Sequence, residues 1–136
     1  MKKIITKKLK GYTLNELLTV LIIIGILILL ALPVLMPLIS KAKATEAKLQ
    51  LAHLHTLERS HFYMYSRYST DLIEIGFEQE ELVTTGGSSN YLIEITEASV
   101  TGFRAKATAV VDFDGDGIFN LWEINEKKKL IEVTKD

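Results

Sequence analysis

The chain has no cysteine and only two prolines in 136 residues. The first absence excludes disulfide staples, thiol catalysis and cysteine metal sites, although it does not identify a compartment. Basic residues are also scarcer than the total of 16 suggests, because five of them (Lys2, Lys3, Lys7, Lys8 and Lys10) crowd the start with no acid among them. Without that segment, 11 basic residues would face 17 acidic ones, a balance near −6. Nucleic-acid binding needs a basic face, so no nucleic-acid partner is expected. There is no Ser-His-Asp set in plausible order, no phosphate-cradling glycine loop and no paired carboxylates outside one Asp-rich loop, so the chain is not read as an enzyme. His53, His55 and His61 lack the i, i+4 spacing of a helical metal site and are expected at the surface or its boundary.

Charge is missing in one further place. From Leu17 to Ile39 no side chain is ionisable, and these 23 residues suffice to span a membrane with some tilt. The dense basic cluster before the run favours a cytoplasmic N-terminus and an exported C-terminal domain. Glu16 sits where the apolar run begins, and an acid at the edge of a membrane span calls for a partner or a function. A secretory signal would place its small-residue cleavage site after the apolar core. Here the small residue, Gly11, precedes it. A cut after Gly11 would create an amine at Tyr12, one helical turn from Glu16. The amine does not easily reach its own Glu16, but a neighbouring chain shifted by about one turn brings the two together.

Residues Lys10 to Leu27 resemble the class III signal of type IV pilins and type II secretion pseudopilins. Two positions depart from the usual pattern: Tyr12 stands where phenylalanine is commoner, and Asn15 where an apolar residue is. The resemblance implies that a prepilin peptidase cuts after Gly11 and methylates Tyr12, and that Glu16 recruits each subunit into a filament. It further implies a helical homopolymer, an inner-membrane assembly platform as partner, and a single-pass inner-membrane precursor. The end product would be a pilus at the cell surface or, alternatively, a pseudopilus of a type II secretion system in the periplasm. A third reading is a membrane-anchored calcium-binding module that does not polymerise.

The expected domains are a cleaved leader (1–11), a transmembrane and filament-core helix (12–39), an amphipathic half of the same helix (40–65) and a globular head (66–136). Pro33 and Pro37 each remove a helical hydrogen bond, which predicts a bend or local loosening near the outer end of the span. From Ser40 onward, Ala47, Leu51, Leu54, Phe62 and Tyr65 form one apolar stripe, with Lys48, Gln50, Glu58 and Arg59 mostly off it. Ser69, Thr70 and Asp71 offer a cap to a short turn over Leu72 to Ile75 that Gly76 stops. Glu78, Glu80 and Glu81 read as a solvated acidic face, and 86–90 as a breaker. The period then becomes two, predicting strands over Tyr91 to Thr96 and Phe103 to Val111 and a hairpin of Leu121 to Asn125 with Leu130 to Thr134. The small residues Ala105, Ala107 and Ala109 suit close approach to the helix. The fold class is α+β and pilin-like: one long helix packed on an antiparallel sheet of three or four strands.

Residues 112–123 fit the twelve-position calcium loop. Asp112, Asp114 and Asp116 occupy positions 1, 3 and 5, and Gly117 takes the sharp turn at position 6. The Ile118 carbonyl, Asn120 and Glu123 follow at 7, 9 and 12. Calcium takes six to eight hard oxygens, and three acids within five residues repel one another without a cation. In a head without disulfides, calcium would supply ordering, because binding energy becomes folding energy. The other reading is that the Asp-Gly repeats make a tight hairpin turn.

Overall fold

The structure is a computed structural model that describes residues 11–136. The expected leader cluster at 1–10 lies outside the described residues. The chain divides into two compact units, the first ending at Leu35 and the second running from Met36 to Asp136.

One helix, α1 (Leu14–Tyr65), supplies the described helical part of the first unit and one wall of the second. It starts at a capping box. The Thr13 hydroxyl accepts the Glu16 N–H at 3.3 Å while the Thr13 N–H donates to Glu16 Oε2 at 2.7 Å, which satisfies two amides that the first turn leaves without a helical partner. The helix therefore begins two residues after Tyr12. The helical assignment runs through Gly25, Pro33 and Pro37 without a break. Every described residue of the first unit is exposed. Its apolar side chains face outward all round, as in a segment that fits a membrane or a bundle of copies rather than water.

In the second unit four strands, β1 (Tyr91–Ala98), β2 (Phe103–Ala109), β3 (Leu121–Asn125) and β4 (Leu130–Thr134), form an antiparallel sheet in sequence order. The connection between helix and sheet includes a short 3-10 turn (Val83–Thr85) that the sequence pattern does not announce. Along β2, Phe103, Ala105, Ala107 and Ala109 are buried, while the residues between them are exposed or half-buried. Register sets these alanines between larger neighbours: Ala107 pairs with Ile93 and Trp122, and Ala105 with Ile95 and Ile124. These residues make one core with Ala44, Ala47, Leu51 and Leu54 of α1. The alanines of helix and strand and their larger neighbours fill this core together.

The helical stripe differs from expectation past Leu54. The buried positions there are His55, Glu58 and His61, whereas Tyr65 is exposed and Phe62 half-buried. His55 and His61 are therefore interior residues, and only His53 is exposed as expected. The reason is a polar clasp. His55 Nε2 meets the Glu126 carbonyl at 3.0 Å, His61 Nδ1 meets the Arg67 carbonyl at 2.9 Å, and Glu58 Oε2 accepts the Ser69 N–H at 3.2 Å. Glu74 adds pairs to Arg67 at 2.9 Å and to the Ser69 hydroxyl. Backbone groups of the returning chain need partners once they are covered, and these side chains provide them.

At the other end of the head, Glu46 of α1 receives the Asn90 N–H at 2.8 Å, the Asn90 Nδ2 at 2.7 Å and the Ser89 hydroxyl at 2.9 Å. The loop just before it folds so tightly that a Cβ at Gly87 would come 1.9 Å from the Glu81 carbonyl oxygen, which explains the glycine. The outer margin of β1 is occupied at its start by Gln79, whose side chain donates to the Tyr91 carbonyl at 3.1 Å and accepts the Ile93 N–H at 2.9 Å.

Candidate functional site

Two groups of residues carry the sequence-predicted chemistry, one in each unit. In the first unit, Gly11 and Tyr12 are exposed and precede the helix, and Glu16 lies in its first turn. A Cβ at Gly11 would meet nothing within 4 Å, so packing does not require glycine there. Glu16 is not idle in the single chain, because its Oε2 is spent on the Thr13 N–H. That partner was legible as the T-x-x-E pattern of a capping box. The consequence is a carboxylate fixed at the head of the helix with its other oxygen still available.

In the second unit, the loop between β2 and β3 brings Asp112, Asp114 and Asp116 together, with one carboxylate oxygen of each within 4.8 Å of the others. Backbone amides organise the turn. Asp112 accepts the N–H groups of Gly115 at 2.6 Å and Gly117 at 2.7 Å, Asp114 accepts that of Asp116 at 3.1 Å, and Asp116 that of Ile118 at 2.7 Å. Gly117 has φ of 86°, the left-handed conformation that a side chain would resist. The amides of Gly117 and Gly115 hold the Asp112 carboxyl below its ordinary range. Asp114 is shifted upward, first by desolvation and then by the neighbouring carboxylates of Asp116, Asp136 and Asp112.

Asn120 and Glu123 do not join this group, contrary to the twelve-position expectation. Asn120 is 1% exposed. Its Oδ1 accepts the Tyr91 hydroxyl at 2.8 Å, and its Nδ2 donates to Glu132 at 2.9 Å and to the Thr134 carbonyl at 3.0 Å. Glu123 lies on β3, in register with Lys106 on one side and Ile131 on the other. In a helix-flanked calcium loop the helix that follows folds position 12 back toward the ion. Here β3 begins right after Asn120, and three extended residues carry the chain about 10 Å onward. The donor set that fits a hard cation is therefore the three aspartates, with the Ile118 carbonyl the remaining expected oxygen in the turn. Tyr91 carries no local signal of its role, because its partner Asn120 is distant in sequence. Its hydroxyl, shifted upward chiefly by burial, ties β1 to the end of the Asp-rich loop.

No family model matches the chain. Over 71 residues it is 42% identical to the type IV major pilin protein PilA of Myxococcus xanthus (strain DK1622), a match that covers 52% of this chain. The chain spans 32% of the length of that curated relative in the match. Together with a long N-terminal helix packed on a four-stranded antiparallel sheet, this relative supports the type IV pilin family for the chain.

Proposed function

We propose that this chain is the structural subunit of a type IV pilus-like filament, cut after Gly11, methylated at Tyr12 and polymerised through α1. The precursor sits once across the inner membrane and is handed to the filament by an assembly platform there. The observation that carries this reading is the juxtaposition at the helix head: Glu16, held by Thr13, opens a run with no charge from Leu17 to Ile39 and with its apolar side chains exposed. Packing such runs side by side buries their apolar surface, and a head-to-tail contact that does not close on itself extends without limit. Glu16 selects the register. The amine formed at Tyr12 of an arriving copy pairs with the free oxygen of a Glu16 already in place, and in a low-dielectric core an unpaired carboxylate would be costly.

Glu16→Gln tests this directly, because glutamine keeps an oxygen for the Thr13 N–H while removing the charge. The expected result is a helical, membrane-resident protein that forms no filaments, with Glu16→Ala failing likewise. Normal filaments from Glu16→Gln would remove the ion-pair step. N-terminal sequencing of the extracted protein should find methylated Tyr12 first, and an intact Met1 would defeat the processing step.

The three aspartates would hold a calcium ion, with Asp112, Asp114 and Asp116 providing hard oxygens and the ion supplying charge neutralisation for a loop of crowded acids. Isothermal titration of the full chain with calcium tests it, and absence of heat at millimolar calcium would discard it.

A further inference from the structure

Two polar atoms that the second unit buries without a hydrogen bond among the described residues belong to side chains one turn apart on α1, Glu58 Oε1 and His61 Nε2. Glu58 is fully buried and His61 is 2% exposed. Folded proteins rarely leave such atoms unmatched, so each needs a reason. For His61 the reason lies in its other nitrogen. Nδ1 faces the Arg67 carbonyl at 2.9 Å, and a carbonyl only accepts, so Nδ1 carries a proton. A neutral ring then has a bare lone pair at Nε2, set against Glu74 Oε1 at 3.5 Å. Two acceptors facing each other gain nothing. A second proton turns Nε2 into a donor, and the same contact becomes an ion pair between imidazolium and carboxylate.

Glu74 is the knot of the segment 66–76, because it also takes Arg67 Nη2 at 2.9 Å and the Ser69 hydroxyl. Its side chain is 38% exposed, so a proton reaches the buried ring from water by way of Glu74. Two acids face the ring, Glu58 from α1 and Glu74 from the segment, and Arg67 of the segment is the opposing cation. Arg59 of α1 and Glu126 of the turn after β3 act on the adjoining Tyr68. Burial pushes the Glu58 carboxyl up, while the Ser69 N–H and then His61 pull it down. We propose that His61 is a proton switch for the segment 66–76: the doubly protonated ring holds the Arg67 carbonyl and the Glu74 carboxylate at once, and loss of the proton from Nε2 frees Glu74 and loosens the segment. The folded chain gains from the added proton, so this contribution is present at low pH and is lost as pH rises through the range, about pH 5 to 8, in which histidine side chains change charge. The switch acts within a single chain and stands apart from whether copies polymerise.

The test is hydrogen exchange on the full chain in detergent, with each amide's rate compared with its unstructured rate at the same pH. Between pH 5.5 and pH 8 the protection of amides in 66–76 should fall about tenfold, the ratio expected of one charge-assisted bond, while amides of β2 keep theirs. The ring nitrogen chemical shifts of His61 should move over the same pH range. His61→Gln keeps a donor for the Arg67 carbonyl without titrating and should flatten the response. Glu74→Gln, at a partly exposed position, should flatten it as well, so the outcome does not hang on a His61 variant that fails to fold. His53→Gln, at an exposed position on the same helix, should leave the fall intact. Equal protection at the two pH values, a fall that persists in both His61→Gln and Glu74→Gln, or a His61 ring that keeps one charge state across the range would overturn the proposal. Glu16→Ala should keep the pH response, so failure of this inference and failure of the filament reading are distinguishable.

Discussion

Replacing Asn120 separates a core role from a metal-ligand role, because the two roles respond differently to calcium. The side chain makes three hydrogen bonds while buried, to the Tyr91 hydroxyl, Glu132 and the Thr134 carbonyl. Asn120→Ala leaves the Tyr91 hydroxyl and the Thr134 carbonyl without that partner, whereas Glu132 is exposed and turns to water. Each buried polar group left unmatched costs about 1–3 kcal/mol, so the loss of two should be about 2–6 kcal/mol. Tyr91→Phe removes one bond and should cost about 1–2 kcal/mol. For a unit of about 100 residues each kcal/mol lowers Tm by roughly 4–8 °C. The single tryptophan, Trp122, lies two residues away in β3, and its fluorescence reports melting of the head in the full chain in detergent. Because Tyr91 and Asn120 share a bond, the double variant should cost about 1 kcal/mol less than the sum of the singles. The same losses should appear with calcium and with chelator. An Asn120→Ala loss seen only in calcium, or perfect additivity with Tyr91→Phe, would refute the assignment.

Glu58 is pushed above its ordinary value of 4.5, chiefly by burial, so the folded chain binds a proton that the unfolded chain releases, and this residue's share of stability falls as pH rises above 4.5. Glu74 is shifted down, first by the Ser69 hydroxyl; its share is present above 4.5 and is lost as pH falls below it. Glu58→Gln should therefore raise stability at pH 7 by about 1 kcal/mol and flatten the decline above pH 4.5, as read from denaturant melts across pH 4 to 8; an unchanged slope would contradict this. Ala107→Leu places a larger side chain between Ile93 and Trp122 under the helix and should cost about 1–3 kcal/mol by the same melts, whereas a neutral result would mean the helix does not approach closely there. Chelating calcium should lower Tm and increase proteolysis at residues 112–118 if the aspartates hold the ion, and identical cleavage patterns would argue that the turn stands on its amide bonds alone.

Much of this architecture could be read from residue periods. The hairpin over Leu121 to Asn125 and Leu130 to Thr134 falls where alternation and the turn at 126–129 put it. The alanines of β2 face inward as their alternation requires, although β2 ends two residues earlier than expected, at Ala109. What escaped were residues whose role depends on distant backbone. Glu58 and His61 look like surface residues by type, yet they are buried because Ser69 and Arg67 present a backbone N–H and a carbonyl to them. Asn120 matches a calcium position by spacing alone, and the start of a strand turned it inward instead. The Thr13 to Glu16 pair is the reverse case, a wholly local signal of T-x-x-E spacing.

The glutamine seated against the first strand bears on how copies of this molecule combine. With Tyr91 and Ile93 already engaged there, that border of the sheet cannot accept an extended segment from another copy at its start, and β4 is left as the open border. A copy pairing along the last strand meets no such side chain, whereas one pairing along the first strand has only the residues after Ile93 to use. The two borders of the sheet are thus unequal, and lateral strand addition is favoured at the last strand over the first.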